Sequence, residues 1–282
     1  MRYLTQIAVP DADARRAAVA DILAGEGFEA AVQEDEPTEK HPRGTRNYLL
    51  EPEGSGPYPL FCAHYDAFPA SSGANDNGAA VSILIALAKE LREKNIRAGF
   101  AFLDGEENGH SGAKLFEARR GERELSAVVN LDMCGYGNTL AAYAHGGKRQ
   151  SGIRAFCDKE RLGRHNGRMV KYLPESDDRC FSSRRQPVLS LAVMPEGDMG
   201  YMDALATYND CLLGKPPEFE MILGQLEVIT TMHGALRDGL KWVQPEAMQN
   251  VLSFLLDAVT APAPEKHFCF RGRFGQRKKP EK

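Results

Sequence analysis

Short apolar runs alternate with helix-like segments between residues 58 and 132, and this alternation is the feature that most limits the fold. Runs 60–64, 98–103 and 127–131 are short and largely apolar, which is typical of buried strands. Segments 76–94 and 109–119 carry apolar residues at helical spacing. The sequence therefore predicts an α/β fold with three layers, in which a central mixed, mostly parallel sheet has helices on both faces.

The flanking segments extend this pattern in both directions. Before residue 58 we expect a helix over 11–26 and strands over 28–33 and 47–50. The second half of the chain is less regular. There we expect strands over 139–144 and 188–193, and helices over 151–161, 198–205, 216–226 and 245–258.

A single domain over residues 1–261 is the simplest organisation, because no internal repeat and no linker interrupts this part of the chain. Residues 262–282 form a basic segment that we interpret as a flexible C-terminal tail. Contact with nucleic acid or a membrane is the minor alternative for it. The basic residues of its last dozen positions are Arg271, Arg273, Arg277, Lys278, Lys279 and Lys282.

Composition narrows the class of protein further. The 282 residues are 43% hydrophobic and 26% charged, enough for a sizeable core, and the net charge of −4 indicates no polyanionic partner. No apolar run reaches the about 18 residues of a membrane span, and the N-terminus lacks the apolar core of a signal peptide. Six cysteines without a Cys-x-x-Cys pair fit buried thiols in a reducing compartment. We therefore expect a cytoplasmic protein with no nucleic-acid or membrane partner.

Acidic and histidine residues follow the predicted strands, where ligands of α/β sheets usually sit. His64 and Asp66 are two positions apart at a strand end, so they can face the same way. One can bind a metal while the other holds the second nitrogen of the imidazole. Asp76 opens a helix inside a Gly-flanked loop, where a carboxylate could also be a simple N-cap.

Two further clusters add three carboxylates. Glu106 and Glu107 follow a buried strand, and adjacent side chains point apart, so one could bind a metal while the other accepts a proton from water. A charged surface turn is the alternative for this pair. Asp132 ends an apolar strand, and a carboxylate on the buried side needs a partner such as a metal. We interpret the four clusters as one metal site, and the protein as a zinc hydrolase acting on peptide-like substrates.

The order and local setting of these clusters resemble metallopeptidase family M28, the aminopeptidases that carry two zinc ions. That family is similar in having a strand ending in His-x-Asp, a Gly-Ala-Asn-Asp-Asn-like loop entering a helix, Asp-Gly-Glu-Glu-x-Gly, and Asn-Leu-Asp-Met. All four stand here in that order, at residues 62–66, 73–78, 103–109 and 130–133. The resemblance is tight from about residue 47 to residue 137.

The resemblance is thinner in the second half. Segment 176–181 resembles the family's Ser-Asp-His-x-x-Phe, but Asp178 stands where the family usually has histidine, and Gln186 where it often has glycine. The family's last ligand is a histidine followed closely by aspartate. His233 with Asp238 is the best match, although this aspartate lies one residue further on than expected. The alternatives for the fifth ligand are His145, at a strand end, and His110, inside the Glu-Glu loop.

The resemblance implies a zinc-peptidase/phosphorylase-like catalytic domain with two zinc ions, although cobalt or manganese would also suit such ligands. Glu106 would be the general base, Asp66 would orient His64, and the substrate would be a peptide or aminoacyl compound cleaved at its N-terminal bond. One ion would be held by His64, Asp76 and Asp132, and the other by Asp76, Glu107 and His233. The resemblance also implies a cis peptide bond between Asp76 and Asn77. Suggested walls of the substrate pocket are Tyr136, Phe181 and Tyr208.

Two other classes of function remain open from sequence. Glutaminyl cyclases resemble the same family but work with one zinc as acyltransferases. A peptide-binding relative that has lost catalysis is the second class, although such loss normally removes ligands that are all present here.

Overall fold

Eight strands form one mixed sheet in the computed structural model, which describes residues 2–39, 42–147, 150–182, 186–209 and 214–261. The expected tail over 262–282 lies outside the described residues. The strands are β1 (Ala31–Asp35), β2 (Thr45–Leu50), β3 (Tyr58–His64), β4 (Gly99–Leu103), β5 (Leu125–Leu131), β6 (Thr139–His145), β7 (Gly167–Met169) and β8 (Val188–Met194).

Helices precede, separate and follow these strands along the chain. They are α1 (Leu4–Ile7), α2 (Ala12–Gly25), α3 (Ala79–Glu93), α4 (Ser111–Ala118), α5 (Lys159–Arg164), α6 (Asp178–Ser182), α7 (Met202–Asn209), α8 (Pro217–Leu223) and α9 (Pro245–Val259). Asp11 caps α2 through a hydrogen bond from the Ala14 amide, and Pro245 occupies the first turn of α9.

The strand order is β1-β2-β4-β3-β5-β8-β6-β7. The central strands β4, β3, β5 and β8 are parallel to one another, so their carboxyl ends meet at one edge of the sheet. Strands β2 and β6 flank this group in the antiparallel direction. The predicted mixed, mostly parallel sheet is therefore confirmed, and its common carboxyl edge places the ends of β3, β4 and β5 side by side.

Apolar side chains on the two faces of the sheet enter different clusters, which gives the three predicted layers. One face packs against α1, α2, α3 and α9 in the largest cluster, which includes Phe61, Phe102 and Phe254. The opposite face packs against α4 and α6 near the middle of the sheet, and against α7 and α8 near β6 and β8. Because both faces are covered, the central strands β3, β4, β5 and β8 are almost entirely buried.

Several expected elements begin or continue differently from the sequence prediction; the helix expected over 198–205, for example, is a 3-10 helix, Glu196–Tyr201, followed by α7. The first strand begins at Ala31 and not at residue 28, because the Phe28 amide donates back to Leu23 O and closes the end of α2. The helix expected over 151–161 is a 3-10 turn, Ser151–Ile153, followed by α5 with Asp158 as its N-cap. The helix expected from residue 76 begins at Ala79, because Asp76 and Asn77 have non-helical backbone angles in the wide turn Ala74–Gly78.

Candidate active site

Strand β3 delivers His64 to the carboxyl edge of the sheet. His64 is 1% exposed, and its Nδ1 lies 3.2 Å from the backbone O and 3.3 Å from Oδ1 of Asp66. Its Nε2 points the other way, 3.4 Å from Asp76 Oδ1 and 3.6 Å from Asp132 Oδ1. Asp66 therefore holds one ring nitrogen and leaves Nε2 directed at two carboxylates.

The turn Ala74–Gly78 places Asp76 at the centre of the site. The Asp76–Asn77 peptide bond is cis, as the resemblance implies. Gly73, at φ +56°, enters the turn where an added Cβ would lie 2.5 Å from Ala67 Cβ, so a side chain has no room there. Asn75 ties the turn to its surroundings by accepting from the Gly135 amide at 2.7 Å and donating to Thr231 Oγ1 at 2.8 Å.

The loop after β4 carries the two glutamates. Asp66 accepts hydrogen bonds from the Glu106 amide at 3.0 Å and the Glu107 amide at 3.1 Å, so the β3 and β4 ends are locked together. Gly105, at φ +69°, begins the loop, and an added Cβ would lie 2.0 Å from Ser111 Oγ. Asp66 thus contacts both the imidazole of His64 and the backbone that presents the glutamates.

The last two predicted ligands come from β5 and from a loop much later in the chain. Asp132 directly follows β5, and its side chain is 18% exposed. His233 follows the 3-10 turn Glu227–Thr231, and its amide donates to Asp76 Oδ2 at 2.8 Å. Asp238, from the same loop, accepts from the amides of Asn75 and Asp76. With the Asn75–Thr231 contact, the 231–238 loop is therefore bonded to the Asp76 turn at three points.

Five of the predicted side chains form two groups that share Asp76. His64, Asp76 and Asp132 make one group, and Asp76, Glu107 and His233 make the other. Within each group the possible ligand atoms lie within 4.8 Å of one another.

The donor set fits divalent metal ions. Among the described residues, His64 Nε2, Glu107 Oε1 and Asp132 Oδ1 are buried and lack a hydrogen-bond partner, although buried polar atoms normally have one. Imidazole and carboxylate ligands without thiolate are typical of catalytic zinc sites with open positions. A cation in each group would satisfy these orphaned atoms.

The electrostatics of the cluster indicate the same need for positive charge. Burial, together with neighbouring carboxylates, raises the pKa of Glu106 to about 9 and the pKa of Glu107 to about 8. Burial alone would lower the pKa of His64, but its contacts with Asp132, Asp66 and Asp76 raise it well above the usual value. Divalent cations would favour ionised glutamates and a neutral imidazole here, because they oppose the charge of the carboxylates.

The structure separates the alternative histidines from both groups. His145 ends the antiparallel strand β6, at the opposite edge of the sheet, where its Nε2 lies 2.7 Å from Asp178 Oδ2. Asp178, which stands where the resemblance leads one to expect histidine, thus has an imidazole partner from β6. His110 lies beside Glu106 and joins neither metal group.

Of the three suggested pocket walls, the structure argues against Phe181, and the other two stay predictions. Phe181 was an incorrect choice, because it is completely buried and packs against Phe116 of α4 at a ring distance of 5.7 Å. Tyr136 donates to Glu227 Oε1 at 2.6 Å, and Tyr208 packs against the cluster of α7 and α8.

Sequence reasoning missed several residues that support the site. Asn75 and Asn77 hold the central turn, the latter through a hydrogen bond to Leu131 O at 2.9 Å. Both belong to the Gly-Ala-Asn-Asp-Asn motif, which was the available signal. Asp177 lies near Glu106 through His110, and only its place in the 176–181 segment pointed to it.

A three-layer α/β fold with two histidine-carboxylate groups at the carboxyl edge of its sheet defines a class of candidate metal-dependent hydrolases. The sequence model of the family described as peptidase family M28 matches residues 48–209, which are more than half of the chain. The chain therefore belongs to peptidase family M28.

Individual relatives match either a short part of this chain or most of it at low sequence identity. Aminopeptidase YwaD of Bacillus subtilis is 39% identical over 80 residues, which are 26% of this chain and 17% of that protein. A zinc-dependent exopeptidase from Parabacteroides distasonis has a similar structure, with a TM-score of 0.65 and 17% identity over 92% of this chain and 95% of the other. A glutaminyl cyclase from Bacteroides thetaiotaomicron is similar too, with a TM-score of 0.66 and 16% identity over 92% and 95% of the two chains. At these identities the two structures support the fold alone.

Proposed function

We propose that the protein is a zinc-dependent aminopeptidase that removes the N-terminal residue of peptides with the help of two metal ions. The observation that carries this proposal is the pair of ligand groups sharing Asp76, with Glu106 next to them in the chain. His64 and Asp132 would complete one ion's ligands, and Glu107 and His233 the other's. Membership of the peptidase family supports a peptide bond as the bond that is cleaved.

When bound, zinc would lower the pKa of water towards about 7 and polarise the substrate carbonyl. Glu106 would take the proton from the attacking water and deliver it to the leaving amine. Asp66 would keep Nε2 of His64 directed at its ion by holding Nδ1. The Asp66 carboxylate would also fix the backbone of Glu106 and so the position of the base.

The test combines metal analysis with hydrolysis of a panel of aminoacyl amides and short peptides. We expect two zinc ions per chain and release of free N-terminal residues. A matched N-acetylated peptide should resist cleavage, because an aminopeptidase requires the free amine. Cleavage of acetylated and free peptides at equal rates would contradict the aminopeptidase assignment.

A glutaminyl-cyclase-like acyltransferase with one zinc is the second candidate, favoured by similarity to a glutaminyl cyclase across 95% of that chain. It predicts one ion per chain and conversion of N-terminal glutamine to pyroglutamate without release of an amino acid. The same metal and product analysis therefore separates the two reactions. Two bound ions with neither product would instead indicate a peptide-binding relative without catalysis.

We also propose that the protein works in a reducing compartment, the cytoplasm. Within the described residues, Cys62 and Cys134 are buried and carry free thiols. Free thiols fit the predicted reducing compartment. Within the described part of the chain, no helix has the length and apolar character needed to cross a bilayer.

A further inference from the structure

His110 and Asp177 form a small, largely buried cluster with Glu106, outside both metal groups. His110 Nδ1 lies 3.4 Å from Glu106 Oε1 and 3.4 Å from Asp177 Oδ1. The Asp177 side chain is completely buried, and those of His110 and Glu106 are 20% and 12% exposed. One imidazole nitrogen therefore lies between two carboxylates, one of which is the proposed base.

The polar atoms through which His110 and Asp177 approach each other have no other hydrogen-bond partner among the described residues. Within the part of the chain that the structure describes, both carboxylate oxygens of Asp177 and Nδ1 of His110 lack a hydrogen bond of good geometry. A completely buried carboxylate without a partner is costly, so a donor is needed at this position. Nδ1–H of His110, at 3.4 Å, is placed to supply one.

The backbone restricts His110 to this location. Its φ of +61° is unusual for a residue with a side chain, and its amide donates to Glu106 O at 3.0 Å. Asp177 immediately precedes α6, which packs on α4 through Phe181 and Phe116. The loop that carries Glu106 and the helix that follows Asp177 are thus held at a fixed separation with His110 between them.

The neighbouring aspartate provides an internal comparison. Asp178 has a satisfied side chain, because it accepts from Ser190 and contacts His145 Nε2 at 2.7 Å. This second imidazole–aspartate pair is similarly buried but has no contact with Glu106. Only the His110 pair faces the proposed base.

We propose that His110 is a positioning residue for Glu106, an inference that rests on the aminopeptidase function proposed above. Nδ1–H of His110, at 3.4 Å from both carboxylates, is shared between Asp177 Oδ1 and Glu106 Oε1. This contact selects the Glu106 rotamer in which the other oxygen can accept a proton from water. Asp177 lies on the other side of Nδ1, gains the donor that its buried carboxylate needs and anchors the imidazole there. His110 itself passes no proton in this scheme, so the proton balance of the reaction is unchanged.

Steady-state kinetics on the zinc-loaded protein test the inference. His110→Leu should lower kcat by about 10- to 100-fold with little change in KM, because small misplacement of a catalytic group has effects of this size. His110→Asn should recover much of the loss, since its amide nitrogen can replace Nδ1 as the donor. His145→Leu is the matched control and should keep normal kcat, and zinc content is measured for every variant.

Two kinetic outcomes would overturn the inference. The first is a kcat for His110→Leu within about twofold of wild type at full zinc content. The second is an equal loss in the Leu and Asn variants, because a positioning hydrogen bond must be rescued by the donor. If the wild-type protein itself releases no N-terminal residue, the proposed function fails, and the inference is judged by the following measurement.

Side-chain ¹⁵N NMR of His110 is independent of turnover. The Nδ1 resonance should move in Glu106→Gln and in Asp177→Asn, and stay in place in Asp178→Asn, which should move the His145 resonance instead. An unchanged His110 resonance in folded Glu106→Gln protein would overturn the contact, even if Asp177→Asn does not fold.

Discussion

Glu106 is the residue on which the proposed chemistry depends most directly. Glu106→Gln should keep both metal ions and the fold but lose about 10²–10⁴-fold in turnover, the usual contribution of general acid–base catalysis. The amide keeps the shape of the side chain while removing its basicity. Rates at saturating substrate, with metal content verified, measure the effect. The surface variant Glu122→Gln is the control, and near-normal turnover in Glu106→Gln would remove it as the base.

His233 is expected to matter for one ion more than for the other. His233→Ala should weaken the ion that Glu107 helps to hold, because His233 belongs to only one of the two ligand groups. The ion held by His64, Asp76 and Asp132 should remain bound at zinc concentrations that no longer fill the weakened site. Calorimetric titration with zinc would show one unchanged and one weakened binding step.

The control for this variant is His165→Ala, because His165 contacts Asp257, far along the chain from the site ligands. It should bind two ions normally. Two ions held with unchanged affinity by His233→Ala would mean that the fifth ligand lies elsewhere.

At the scale of elements, the site depends on two loops that are distant in sequence and bonded to each other. Asp238 Oδ1 accepts from the amides of Asn75 at 3.1 Å and Asp76 at 3.2 Å, and its Oδ2 accepts from Ser71 Oγ at 2.5 Å. Asp238 is 5% exposed, so these hydrogen bonds are shielded from water. The carboxylate therefore fixes the turn that presents the shared ligand Asp76.

Asp238→Asn should weaken both metal ions together, since Asp76 belongs to both ligand groups. Residues that support metal ligands typically contribute 10- to 100-fold in affinity, and we expect a loss of about that size at each site. The measurement is the zinc titration used for His233→Ala, in which both binding steps should move.

Asp198→Asn is the matched control for this loop. Asp198 is 4% exposed and accepts from the amides of Glu227 and Val228, but it contacts none of the proposed ligands. It should lower the stability of the fold without changing zinc affinity. If Asp238→Asn behaves in the same way, the loop contact supports the fold alone.

At the scale of the whole molecule, the proposed ions would link the ends of β3, β4 and β5 to the loops around residues 76 and 233. Removing zinc should therefore lower the melting temperature. Ligand at 100 times its Kd stabilises the folded state by about 2.7 kcal/mol, which corresponds to several degrees in a chain of this size. Differential scanning calorimetry with and without a chelator, followed by zinc addition, measures this shift.

Asp76→Asn is the control for the chelation experiment, because it alters the ligand common to both groups. The effect of zinc on its melting temperature should be much smaller than in wild type. An equal melting temperature of chelated and zinc-loaded wild-type protein would contradict coupling between the metal site and the fold.

Much of the fold followed from sequence because hydrophobic pattern is a local property. The apolar runs that become β3, β4 and β5 and the helical spacing in α3 required no knowledge of distant contacts. His64, Glu107 and Asp132 come at or just after those runs, so the parallel sheet brings them to one edge. Element boundaries were less predictable where a hydrogen bond closes or caps a helix, as Phe28 does at the end of α2 and Asp158 does at the start of α5.

Contacts between distant segments were decided by tertiary structure. The sequence left three histidines as candidates for the fifth ligand. Strand direction separated His145 from the site, since β6 runs antiparallel and carries it to the far edge, and His110 lies outside both ligand groups. The Asp238 contact with the Asp76 turn joins positions more than 160 residues apart, and no local pattern encodes such a distance. Phe181 was misplaced for the same reason, because its burial depends on α6 packing over α4. Local periodicity thus determined the strands and the residues at their ends, whereas long-range packing and hydrogen bonds decided which side chains meet.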